Sequence, residues 1–237
     1  MRTSIVVASL MALAACGGTG PGSGSPGNGS SGTPDPPWWG LGNALCLHYA
    51  DPSGGPAQFE LEIHTSQKFS GVTTYDVLEH FNLFPGTERW FQVTGDELLL
   101  RGLSDQENGS GCPNPNQSCI TYTTYDPPPV YLKNDLAQGA SVETTTTASV
   151  SGARSGKFQQ RFTVAAFPPE TLKLAIGGKQ VQATKYTVTI EESGQPSKVD
   201  RVWLVPKIGF AQVEFSQENI QEFQSSQTLQ SGEACGL

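Results

Sequence analysis

The chain has 237 residues with 14 basic and 22 acidic side chains, a formal net charge of -8 at pH 7. That balance repels polyanions on average, and no Lys/Arg cluster interleaved with aromatic residues offsets it, so nucleic acid is excluded as an expected partner. Charged residues are 15% and apolar residues 36% of the total, a composition suited to one ordinary or one large all-β domain rather than a multidomain array.

The chain opens on MRTSIVVASLMALAAC. Arg2 supplies a positive start, and the apolar run from Ser4 to Ala15 follows. As a helix a run of this length reaches roughly 18 Å, short of a hydrocarbon core of about 30 Å. Residues 1-15 therefore read as a secretory signal that is removed, not as a membrane span. Leu13-Ala14-Ala15-Cys16 resembles the lipobox of bacterial lipoproteins. The resemblance implies that a diacylglycerol is joined to the Cys16 sulfur and that Cys16 becomes the new N-terminus. It also implies sorting to the outer membrane of a Gram-negative cell, since Gly17 and not Asp follows the cysteine. Two or more acyl chains, at about 0.8 kcal/mol per buried methylene, hold a protein stably at a bilayer. The membrane, reached through a palmitate-type anchor, is thus an expected partner. A plain secretory signal that happens to contain a cysteine is the alternative.

Residues 16-37 are dominated by Gly, Ser and Pro and have almost no side chains to bury, so they read as a flexible tether. Its root-mean-square reach is roughly 25 Å. The remaining span, 38-237, is the expected β domain. It begins with Trp38-Trp39, a pair suited either to strapping over an open end of the core or to stacking on a ligand.

Setting Cys16 aside leaves Cys46, Cys112, Cys119 and Cys235, an even number in an oxidising compartment. Four cysteines allow three connectivities. The favoured one joins Cys112 to Cys119 around the turn-rich PNPNQS and Cys46 to Cys235 across the domain. In the chain-entropy model the short loop contributes up to about 2.5 kcal/mol and the long one up to about 5. A zinc site is the competing reading, but it lacks close Cys-x-x-Cys spacing and any histidine at a matching offset.

Within the domain, two-residue alternation rich in Thr, Val, Tyr and Phe recurs and predicts half-exposed strands. In QFELEIHT, Phe59, Leu61 and Ile63 share one face, and Glu60, Glu62 and His64 the other. RWFQVTGDELLLRGL reads as two strands about Thr94-Gly95-Asp96. SCITYTTYD, ASVETTTTASVSG and KFQQRFTVAAF continue the series. LKLAIGGKQVQATKYTVTIEESG predicts a hairpin turning at Gly177-Gly178, and DRVWLVPKIGFAQVEFS predicts two strands broken at Pro206 and Gly209. The tally is near ten.

One segment departs from the alternation. In TTYDVLEHFNLFPG, Val77, Phe81 and Phe84 fall at helical offsets, and Thr73 ahead of Asp76 resembles a capping box, so a short helix is expected, ended by Pro85-Gly86. With no βαβ rhythm, the fold class is all-β: an antiparallel meander forming a strongly curved sheet or open barrel, with at most one short helix.

From about Arg89 to Phe215, the order ELLLRGL, YDPPPVYLKNDLAQGASVETT, AIGGKQVQATKYTVTI, VWLVPKIGFAQVEF resembles a group of uncharacterised bacterial secreted β-domain proteins. Members end in an aromatic-x-x-Pro-x-x-Gly strand pair, here Trp203, Pro206 and Gly209. Lys207 stands where that group usually has Gly, and Ser141-Val142 where a Trp often follows. The resemblance implies a β domain and carries no catalytic residue with it.

Chemistry is sparse. His48, His64 and His80 share no metal-ligand spacing, no Gly-x-Ser-x-Gly elbow occurs, and GGTGPG lies in the tether rather than between strand and helix. Glu60 and Glu62 lie on one side of a strand, as a solvated face also shows. The expectation is a lipid-anchored protein that binds or scaffolds, with no enzyme activity, metal or cofactor, and with a hydrophobic small molecule or an envelope protein as the candidate partner. A carrier of lipid or another apolar ligand is the alternative, with Trp38 and Trp39 as candidate contacts, and a hydrolase without a recognisable motif is the second.

Overall fold

A computed structural model describes residues 45–50, 59–69, 71–81, 84–107, 112–114, 118–174, 180–205, 209–214 and 227–234. These residues form β1 (Leu45–Ala50), β2 (Phe59–Phe69), β3 (Val72–Phe81), β4 (Phe84–Thr94), β5 (Glu97–Glu107), β6 (Cys119–Asp126) and β7 (Val130–Lys133). The second half adds β8 (Ser141–Gly152), β9 (Gly156–Ala166), β10 (Glu170–Lys173), β11 (Gln180–Glu192), β12 (Lys198–Val205), β13 (Gly209–Glu214) and β14 (Gln227–Ala234). No helix occurs among the described residues. The all-β antiparallel expectation holds.

Neighbours in the sheet follow the chain order, β1 to β6, then β8, β9, β11, β12, β13 and β14, every pairing antiparallel. β14 pairs back onto β1, with Ala234 opposite Leu45. Setting aside β7 and β10, the pairing therefore runs around a circuit of twelve strands, the wiring of an up-and-down meander curled on itself. The turns β5–β6, β8–β9 and β11–β12 lie at one end of this curl, and β4–β5, β9–β10 and β12–β13 at the other. β1 begins at the second end.

A ring of this many strands is wider than the eight that side chains alone fill, and β7 occupies the excess. It pairs with the first half of β5, opposite Glu97 to Leu99, while β6 pairs with the second half. Val130, Tyr131 and Leu132 are buried in succession, so both faces of β7 meet protein, unlike the alternating strands around it. Thr146 Oγ1 donates to the Pro127 carbonyl at 2.6 Å, which ties the approach to β7 against β8.

Elsewhere the period-2 pattern sorts the faces. Leu61 and Ile63, Leu98 and Leu100, Phe162 and Val164, and Val202 and Leu204 point inward into one core. Outward from β8 and β9 stand Glu143, Thr145, Thr147, Lys157, Gln159 and Arg161. Burying a side chain such as Phe162 contributes roughly 1.5–3 kcal/mol, and the core among the described residues holds 25 buried hydrophobic residues, four of them alanines.

The helix expected around Val77 to Phe84 is not formed: residues 72–81 are β3 and Phe84 opens β4. The physical reason is lateral. β2 pairs along one edge of β3 and β4 along the other, so the backbone groups a helix would satisfy internally are satisfied across strands. The relevant apolar period is then two, with Tyr75, Val77 and Glu79 on the inner face. Thr73 and Asp76 lie within the strand and do not cap a helix; Asp76 Oδ1 instead accepts from Thr74 Oγ1 at 3.0 Å. Four strands beyond the expected series are present: β1, β3, β7 and β14.

Candidate functional site

Several expected site residues fall outside the described residues: Cys16, Trp38, Trp39 and Cys235, together with the tether and the Gly177-Gly178 turn. The strands flanking that turn do pair as a hairpin, Glu170 opposite Ala183 and Lys173 opposite Gln180. The Cys112–Cys119 disulfide is formed, with Cα atoms 5.7 Å apart. The backbone of Cys46 lies in β1 opposite Glu233 of β14, and its expected partner Cys235 is not described. His64 is hydrogen-bonded to Glu62 at 2.5 Å on the outward face. No group of three or more His, Cys, Asp and Glu side chains that could hold a metal occurs among the described residues.

Inside the curl, charge is present but sealed. Glu79 and Arg89 form an ion pair on the inner faces of β3 and β4, both nearly excluded from solvent. Tyr131 packs its ring on Phe91, centroids 5.0 Å apart, and donates its hydroxyl to Asp200 at 2.8 Å. Burial first, and then the Asp200 charge, push the Tyr131 phenol well above the ordinary value. These buried pairs tie opposite parts of the interior together.

The outer surface offers a second feature. Trp90 is buried on the outward side of β4, beneath Tyr122 stacked at 6.3 Å and beside Phe69 at 5.8 Å. Gly102 on β5 makes room for it: a Cβ there would lie 2.9 Å from Trp90 Cε3. Tyr122 and Ile120 remain 40% and 47% exposed.

The most site-like feature is an open polar groove of about 390 Å³ where β9 and β11 reach the β11–β12 turn, between Gln160, Arg161, Glu191, Glu192 and Ser193. Antiparallel register builds it, setting Arg161 opposite Glu191 and Gln160 opposite Glu192. The Arg161 guanidinium donates to Glu191 and faces Glu143 on β8 at 3.7 Å. The hydrogen bond to Glu191, reinforced by the charges of Glu191 and Glu143, holds its proton more tightly than usual. Gln160 Nε2 donates to Glu192 at 2.7 Å, while Gln160 Oε1 is buried without a hydrogen-bond donor among the described residues. Gln159 Nε2 donates to Thr147 at 2.8 Å. Two residues before Gln160 on the same face of β9, Phe158 is 42% exposed.

No family model matches the chain, no curated protein matches it, and no solved structure matches it. Gln160, Arg161, Glu191 and Glu192 escaped sequence analysis because each sits in an ordinary alternating strand.

Proposed function

We propose that this chain is an exported bacterial lipoprotein, anchored by acyl chains on Cys16, that works through the outer surface of its β domain as a binding or structural module. One observation carries this reading: the inside of the curl is occupied by the chain's own side chains, Tyr131, Phe91 and Phe162 among them, whereas the polar groove opens outward at one end. The carrier alternative gains no support from an interior filled in this way.

The placement of polar residues supports the need for a separate anchor. A twelve-strand antiparallel circuit with adjacent first and last strands is wired like a membrane barrel, but the faces are reversed. Glu143, Lys157, Gln159 and Arg161 point outward, and a Lys or Arg facing the bilayer midplane costs about 2–4 kcal/mol. A polar outer face of this kind on β8 and β9 favours attachment to a membrane through the acylated cysteine over insertion of the wall in lipid. The resemblance of Leu13-Ala14-Ala15-Cys16 to a lipobox supplies that cysteine.

The test is metabolic labelling with a palmitate analogue in a bacterial host, combined with alkaline washing of membranes. Label and membrane retention are expected in the wild-type chain and lost in Cys16→Ala. Retention of Cys16→Ala after washing overturns the anchor.

A further inference from the structure

We infer that the backbone edge of β2 beyond Ile63, with the aromatic cluster beside it, is the docking surface for this chain's own residues 38–44, and that Trp38 or Trp39 caps the cluster. This goes beyond the surface-binding reading above and is independent of an anchor on Cys16.

The first observation is a mismatch of length. β1 pairs with the first part of β2 only, from Tyr49 opposite Phe59 to Leu45 opposite Ile63. β3 follows β2 to its end, with Phe69 opposite Val72. Among the described residues, the backbone of residues 64–69 therefore has a strand on one side alone. Such an edge presents a row of N–H and C=O groups that pair either with another strand or with water.

The chain itself supplies a segment of the right length at the right place. Residues 38–44, Trp-Trp-Gly-Leu-Gly-Asn-Ala, lie outside the described residues and run directly into Leu45. Continuing the β1–β2 register upstream sets Ala44 opposite His64 and Gly42 opposite Ser66, and reaches Trp39 at the level of Phe69. A strand from a second copy or another protein would have to displace a segment already joined to the start of this edge, whose effective concentration is on the order of millimolar.

Side chains make the second observation. Tyr122 of β6, Trp90 of β4 and Phe69 of β2 form a row of rings on the outer face, with centroids 6.3 Å and 5.8 Å apart, and the row steps toward β1. It ends on Phe69, which is half-buried and has the Arg101 guanidinium 6.0 Å from its ring. Neighbouring strands lie about 4.8 Å apart, so a ring on the next strand at this level comes within aromatic contact of Phe69. Successive side chains along a strand face opposite sides. One member of an adjacent pair therefore faces outward whichever phase the irregularity between Ser66 and Phe69 imposes, which gives two tryptophans in a row a use.

The test is hydrogen exchange read by mass spectrometry on the full-length protein in detergent. In the wild type, residues 40–44 and 65–69 are expected to be protected together, and equally at low and at about tenfold higher protein concentration. Gly42→Pro/Asn43→Pro removes a donor whichever of the two N–H groups faces β2, and should speed exchange in residues 65–69 by about tenfold or more. Trp38→Ala/Trp39→Ala keeps every donor and should speed exchange in both segments by about threefold. Protection of β9 should not change in either variant, which separates a lost contact from a lost fold. Residues 40–44 exchanging in the wild type at the rate of an unstructured peptide, or residues 65–69 keeping wild-type protection in the double-proline variant, overturns the inference. Protection of residues 65–69 that rises with protein concentration assigns the edge to a second copy and overturns it too. Cys16→Ala should show wild-type protection of both segments, so failure of the anchor and failure of this contact are read separately.

Discussion

The hydroxyl of Tyr131 on β7 donates to Asp200 on β12, 69 residues later in the chain, at 2.8 Å. The ring of the same tyrosine rests on Phe91 of β4. In the circuit of strands β4 and β12 are half a turn apart, so one side chain links opposite walls. Tyr131→Phe keeps the ring contact and removes the hydrogen bond. A loss of about 1–3 kcal/mol is expected, read as a lower urea midpoint with unchanged slope. A midpoint equal to wild type would show that this bond adds nothing net.

Alkaline pH should test the same residue from another side. Burial, followed by the Asp200 charge, holds the Tyr131 phenol well above 10.0, and burial, followed by the Asp135 charge, raises Tyr186 as well. Both stay protonated in the fold at a pH where the unfolded chain ionises them. Their contribution is therefore fully present below about pH 10 and is lost as pH rises from there through the folded values. The thermal midpoint should fall above about pH 10, with phenolate absorbance from these two tyrosines growing only as the protein unfolds. Tyr131→Phe should make the decline shallower. A decline of the same steepness in Tyr131→Phe would assign the effect to other groups.

Gly102 carries a steric prediction. An added methyl would lie 2.9 Å from Trp90 Cε3 and press on the Thr123 carbonyl of the neighbouring strand. Neither can retreat freely, since Trp90 is held by Tyr122 and Phe69 and the carbonyl belongs to β6. Gly102→Ala should destabilise by about 1–3 kcal/mol and shift Trp90 fluorescence toward that of an exposed indole. Wild-type stability and emission together would mean that the outer aromatic stack is looser than described.

The disulfide should contribute modestly. Closing the segment between Cys112 and Cys119, seven positions apart, limits the unfolded chain by up to about 2.5 kcal/mol. The double variant Cys112→Ser/Cys119→Ser should melt several degrees lower than the oxidised wild type, at roughly 4 °C per kcal/mol or less for a chain of this size. Equal melting of variant and oxidised wild type would show that the loop is already ordered by other contacts.

Much of the wall of the fold was legible. The alternation in QFELEIHT placed Leu61 and Ile63 inside, and they are 0% and 1% exposed. The turn at Gly95, with φ of 59°, joins β4 and β5 as the Thr94-Gly95-Asp96 sequence requires. Less legible were β14, whose QTLQSGEA holds a single β-branched residue, Thr228, and β7, four residues hidden between a proline run and a turn. The helix reading of Val77, Phe81 and Phe84 failed because those spacings suit a helix while Tyr75, Val77 and Glu79 suit a strand, and only the flanking strands choose between them.

The amino-acid order alone determined which short segments extend, which way most of their side chains alternate, and the acidic balance that disfavours polyanions. Those properties arise from neighbours two or three residues apart. Tertiary structure decided that the strands join into a circuit, that β7 turns inward, that Glu79 and Arg89 meet in the dark, and that Phe158 is left at an open lip beside Gln160. Each of these depends on pairing between distant segments, where hydrogen bonds between strands and burial across the core outweigh local preference.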